Sequence, residues 1–114
     1  MRVNRDQGFG HLKRELQEGR PCIGVICGGD GTVMWVISEI EKHKIPPRAV
    51  KLAVMPLGTG NDFSRVAGWG GTQEDFSANC LQGMRKLVKQ WIEAKEEPLD
   101  IWEVQVTTHA HGHF

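Results

Sequence analysis

The chain has 114 residues, 39% of them hydrophobic and 25% charged, which fits one soluble domain with a single modest core. Fourteen Lys and Arg stand against fourteen Asp and Glu, so the formal charge is zero and no net basic field drives nucleic-acid binding. No apolar run approaches the roughly 18 residues that cross a bilayer, and the N-terminus lacks a signal-peptide core, so a membrane-embedded substrate has to be reached from the water side.

Residues 1–9 are polar and show little periodicity. Leu12 and Leu16 lie four apart among charged residues and predict a short amphipathic helix ending near Gly19, with Arg20-Pro21 breaking it. The run Cys22-Ile23-Gly24-Val25-Ile26-Cys27 is apolar on both faces and predicts a central strand of a parallel sheet. Small buried thiols are common in such runs, and three cysteines (Cys22, Cys27 and Cys80) cannot all pair. With no C-x-x-C zinc pair, they are expected to be reduced and the compartment cytosolic.

Gly28-Gly29-Asp30-Gly31-Thr32 follows that strand at once. Val33, Val36, Ile37 and Ile40 then fall at helical spacing, Lys42, His43 and Lys44 suit the negative end of that helix, and Pro46-Pro47 stops it. Leu52-Ala53-Val54-Met55 predicts a second strand, which runs into Pro56-Leu57-Gly58-Thr59-Gly60-Asn61-Asp62. A short helix is expected from Asp62 to before Gly68, and Trp69-Gly70-Gly71-Thr72 reads as a loop. A helix over 76–94 carries Leu81, Met84, Val88 and Trp91 on one side, and Pro98 closes it. Trp102, Val104 and Val106 alternate with polar residues, the period of a half-exposed strand.

Strands alternating with helices predict an α/β fold, an open and mainly parallel sheet with flanking helices forming a Rossmann-like nucleotide-binding lobe over residues 1–114. Such sheets bind ligands beyond the carboxyl ends of their strands, where both glycine-rich loops fall. A glycine turn between strand and helix lets backbone N–H groups approach phosphate oxygens, because glycine permits positive φ and carries no Cβ. The helix that follows adds unpaired N–H groups and a positive dipole end. A tight turn capped by Asp30 or Thr32 would need one such residue, whereas three of the four positions 28–31 are glycine.

The commoner phosphate motifs do not apply. A dinucleotide pattern or a protein-kinase glycine loop would need glycine at Met34 or Phe63, and no Gly-Lys pair exists to make a Walker motif. Asp30 is the residue of most chemical interest, since phosphoryl transfer needs a carboxylate to hold metal or accept a hydroxyl proton. Its alternative role is a helix cap, and turn or cap roles weigh equally for Asn61 and Asp62.

At these loops the sequence resembles the diacylglycerol kinase catalytic domain. The residues are Gly28-Gly29-Asp30-Gly31-Thr32-Val33 and Pro56-Leu57-Gly58-Thr59-Gly60-Asn61-Asp62-Phe63-Ser64-Arg65, with Gly68-Trp69-Gly70-Gly71 and Leu99-Asp100-Ile101-Trp102 downstream. The first block is shared with sphingosine and ceramide kinases and its core with NAD kinases. The longer second block is more similar to eukaryotic diacylglycerol kinases.

The resemblance implies ATP- and Mg²⁺-dependent phosphorylation of diacylglycerol to phosphatidic acid, by a cytoplasmic enzyme that touches the membrane peripherally. Gly28, Gly29, Asp30, Gly31 and Thr32 would hold the ATP phosphates, with Asp30 catalytic and near the metal. Gly58, Thr59, Gly60, Asn61 and Asp62 would form the second wall, and Trp69 would brace that loop from the core. The family's first strand is not recognisable before Gly10, and its β-rich second lobe does not follow Val106. The chain is therefore expected to be an inefficient kinase alone and prone to self-association. A sphingosine or ceramide kinase, and a non-catalytic nucleotide-binding module, are the alternatives. The alternating His109, His111 and His113 are expected to be a solvated end rather than a metal site.

Overall fold

In the computed structural model, residues 5–71 and 80–108 are described. Helix α1 (Arg5–Gln17) leads to strand β1 (Ile23–Gly28), helix α2 (Asp30–Lys42), a 3-10 turn at Pro47–Ala49 and strand β2 (Lys51–Pro56). A short helix α3 (Asp62–Val66) and a longer α4 (Cys80–Glu93) follow. The strands pair in parallel, from Ile23 beside Lys51 to Gly28 beside Pro56. Leu57 N–H extends the ladder by donating to the Gly28 carbonyl at 3.1 Å.

The core lies between this sheet and α2. Ile26, Val33 and Val54 are buried together, with Val36, Ile37, Leu52, Phe63 and Trp69 packed against them. Val33, Val36, Ile37 and Ile40 form the stripe that their spacing predicts, and burying it is what holds α2 on the strands. Trp69 packs from beyond α3 as a core residue, the place expected for it.

Three helices end in the same way. After α1, α2 and α3, a residue with positive φ (Gly19, Lys44 and Gly68) donates its N–H back into the last turn, as does the residue after it. Glycine adopts this conformation at low cost, whereas Lys44 at φ 55° does so under strain. Ile45 and Ile40, joined there by a 3.1 Å N–H···O bond, are both buried, which offsets the strain. The helix therefore ends at this cap, before Pro46 is reached.

Several sequence expectations need correction. Among the described residues α1 reaches back to Arg5, earlier than the apolar spacing suggests, and its Phe9 packs edge-on against Trp35 and stacks on His43 of the α2 end. β1 is not covered on both faces, since Ile23 and Cys27 are exposed; β2 is the only strand paired with it among the described residues. Cys22 and Cys27 are free thiols, and Cys27 is not a buried one.

Residues 101–108 form no strand, and Trp102, Val104 and Val106 are exposed. Alternation alone cannot make a strand, because its backbone groups need a neighbouring strand to pair with. The start of the helix predicted over 76–94 and the histidines His109, His111 and His113 lie outside the described residues. Among those described, no helix is long and apolar enough to cross a membrane.

Candidate nucleotide site

Because β1 and β2 end in register, both glycine loops leave the sheet side by side. They touch backbone to backbone. A Cβ built on Gly58 would lie 2.5 Å from the Gly29 Cα and 2.9 Å from Asn61 Oδ1, and one on Gly29 would lie 3.1 Å from the Gly58 Cα. Gly28 is equally constrained, since its Cβ would meet Thr32 Oγ1 at 2.6 Å. The glycines of both loops all lack positive φ, so close approach and not left-handed backbone explains them. Gly31 faces open space, with nothing within 4 Å of a Cβ.

Neither Asp30 nor Thr32 caps α2, the alternative weighed against a ligand site. α2 has Gly29 as its N-cap and no side-chain capping bond, and Thr32 sits inside the helix. Asp30 caps a different helix. Its Oδ2 accepts the Asp62 N–H at 3.0 Å and its Oδ1 the Phe63 N–H at 2.9 Å, both at the start of α3. A Cβ on Gly60 would come within 3.3 Å of that carboxylate. Asp30 thus clasps the two loops across 32 residues of chain.

The amides of Phe63 and then Asp62 hold the Asp30 carboxyl below its usual range, opposed by desolvation and aided to a smaller extent by Arg65. A lowered folded value means that the clasp contributes stability above the unfolded value of about 3.9 and loses it as pH falls through the folded one. At neutral pH Asp30 is an anion and a weak base.

Asn61 is the buried organiser of the second loop, only 2% exposed and at φ 55°. Its side chain accepts the Gly58 N–H at 3.0 Å and donates to the Gly58 and Gly71 carbonyls at 2.7 and 2.8 Å. Every polar position of that amide faces protein, so Asn61 shapes the wall and does not line it. Asp62 points to solvent, 87% exposed, with Arg65 Nη1 at 3.4 Å. Arg65 also donates to the Gly60 carbonyl. Thr59 and Gly60 are exposed on the rim.

The arrangement therefore joins Gly28–Thr32 to Gly58–Asp62 beyond the carboxyl ends of the two strands. The uncapped start of α2 and the glycine backbone suit phosphate oxygens, and Arg65 adds the one positive side chain bonded to these loops among the described residues. Sequence reasoning did not single out Arg65; its place one helical turn after Asp62 was the available signal. Asp30 and Asp62 are the carboxylates whose chemistry suits Mg²⁺, Asp62 largely exposed with Oδ1 shared with Arg65 and Asp30 with its remaining lone pairs.

A family model described as "Diacylglycerol kinase catalytic domain" matches residues 1–104. The chain is 38% identical over 102 residues to diacylglycerol kinase eta of Mus musculus, covering 79% of this chain and 8% of the relative. It is 40% identical over 102 residues to the Mesocricetus auratus protein of that name, again at 79% and 8% coverage. Against diacylglycerol kinase eta of Drosophila melanogaster it is 38% identical over 82 residues, covering 72% of this chain and 4% of the relative. The chain thus spans less than a tenth of the length of these relatives. No solved structure matches.

Proposed function

The chain belongs to the diacylglycerol kinase catalytic-domain family, and from that premise we propose that it supplies the nucleotide-binding part of an enzyme that phosphorylates diacylglycerol with ATP. The observation that carries the reading is the pair of glycine loops in backbone contact at the ends of two registered parallel strands. Phosphoryl transfer depends chiefly on positioning and charge compensation, and this arrangement offers both.

Gly28–Thr32 and the start of α2 direct N–H groups at the phosphates, with Gly31 leaving room for close approach. Gly58–Asp62 forms the opposite wall, held in shape by Asn61. Asp30 holds the walls together and contributes its negative charge beside Asp62, so that both carboxylates stand where Mg²⁺ would be bound. Bound Mg²⁺ offsets charge on the transferring phosphoryl group. Arg65 orients a phosphate oxygen by its guanidinium. The depressed Asp30 carboxyl makes proton abstraction from the lipid hydroxyl a poor role for it, and positioning the better one.

The test is transfer of the ATP γ-phosphoryl by the full-length protein to diacylglycerol in mixed micelles with Mg²⁺, beside sphingosine and ceramide. Phosphatidic acid is the expected product. Turnover of sphingosine with none of diacylglycerol would overturn the assignment. The 114-residue chain alone should bind nucleotide weakly, self-associate and turn over little lipid; a rate of about 1 s⁻¹ or more, the low end for kinases, would contradict this.

A further inference from the structure

Gly68-Trp69-Gly70-Gly71 is a motif of the sequence to which the functional reading gives no part beyond Trp69 in the core. It folds back on α3. Gly68 at φ 84° closes the helix, the Trp69 N–H donates to the Ser64 carbonyl at 2.9 Å, and Gly70 follows at φ 86°. The turn brings Gly71 to the second glycine loop, where its carbonyl accepts from Asn61 Nδ2 at 2.8 Å.

The last two glycines of this turn are required for different reasons. Gly70 has nothing within 4 Å of a Cβ position, and its backbone conformation is what favours glycine. Gly71 lies outside the positive-φ region, so its backbone suits any residue. What excludes a side chain at 71 is Arg65. A Cβ there would stand 2.6 Å from Nη2 and 2.7 Å from Cζ, and its three nearest atoms all belong to that guanidinium.

On its other side the guanidinium is held by the second loop. Nη1 donates to the Gly60 carbonyl and lies 3.4 Å from Asp62 Oδ1, while the side chain stays 52% exposed. Arg65 thus sits between the loop and the turn with part of its fork open to solvent. A long arginine side chain otherwise samples many rotamers, and a ligand must then supply the cost of ordering it. A planar donor fork held in advance suits recognition of a phosphate oxygen.

We propose that Gly71 is a positioning residue, whose missing side chain is the berth that holds the Arg65 guanidinium ready for a nucleotide phosphate. The proposal rests on the nucleotide-site reading above. It adds that the turn after α3 acts on ATP affinity through Arg65 alone.

The test is a double-mutant cycle in the full-length protein, read as the Kd for ATP with Mg²⁺ by calorimetry and as KM and kcat with diacylglycerol. Gly71→Ala and Arg65→Ala should each weaken ATP binding by about tenfold, the scale of losing one hydrogen bond to a charged group. KM for ATP should rise with Kd, and kcat should change less. The double variant should match Arg65→Ala within about twofold, because the added methyl then has nothing left to displace. The overlap involves only the mobile tip of one side chain, so Gly71→Ala should fold; should it not, the double variant should recover the fold. Losses that add in the double variant, a double variant that stays unfolded, or unchanged ATP affinity in Gly71→Ala would each overturn the proposal. A wild type that binds ATP but does not phosphorylate diacylglycerol would overturn the lipid-kinase reading alone, since the cycle is still read from Kd. A wild type with no saturable ATP binding would overturn both.

Discussion

The two glycine loops look alike in sequence and are built on different principles. The first, Gly28–Thr32, has no side-chain brace of its own; it runs straight into α2 and leaves Gly31 facing open space. The second, Gly58–Asp62, is wound around a buried asparagine that bonds the backbone of Gly58 twice and, beyond the loop, the Gly71 carbonyl. The first is shaped to admit a ligand and the second to hold still beside it. Glycine count alone does not separate these roles; what fills the space where a Cβ would stand does.

The sharpest way to break this comparison is at the contact between the loops. Gly58→Ala sets a Cβ against Gly29 backbone and Asn61, neither of which can swing aside, and should cost about 3 kcal/mol or more in chemical denaturation. A loss below about 1 kcal/mol would mean that the loops can part. Asn61→Ala comes next. It leaves the Gly58 N–H and two carbonyls short of partners and puts alanine in a left-handed conformation, so about 2–3 kcal/mol should be lost.

Asp30→Ala sharpens the comparison on the functional side. In the full-length protein kcat should fall about a hundredfold, the scale of losing a group that organises transition-state charge. Asp30→Asn should in addition flatten the acid limb of the stability profile, because the carboxyl that titrates below its usual range is gone. Near-normal turnover of both variants would reduce Asp30 to a cap on α3.

Smaller effects follow from sites outside the contact. Lys44→Gly relieves a left-handed lysine and should raise stability by about 0.5 kcal/mol, the strain relieved less the extra freedom of the unfolded glycine. Gly31→Ala has room for its methyl and should change stability by no more than about 0.5–1 kcal/mol. If the first loop is the ligand-facing one, the same change should still raise the KM for ATP in the full-length protein. An unchanged KM would move the phosphates elsewhere.

Much of the architecture is legible in local chemistry. The spacing of Val33, Val36, Ile37 and Ile40 makes a helix with one buried stripe, and the short apolar runs before each glycine loop make strands. Gly19 and Gly68 mark helix ends because they reach positive φ cheaply. All of these depend on residues within a turn or two of one another, which is why periodicity reveals them.

What only the tertiary structure decided involves partners far apart in the chain. The local alternative to a chemical role for Asp30 is a cap on its own helix, yet it caps α3, because parallel registry brings residues 32 and 33 positions away within hydrogen-bond reach. Asn61 reads as a turn residue, yet its burial beneath Gly58 and Gly71 makes it the interior of the loop. Lys44 ends α2 in place of a glycine because two isoleucines bury together there. The alternation at Trp102–Val106 yields no strand, since pairing depends on a neighbour that the local pattern does not contain. Local sequence sets which conformations are cheap; which of them is occupied depends on the surfaces and backbone groups that folding brings alongside.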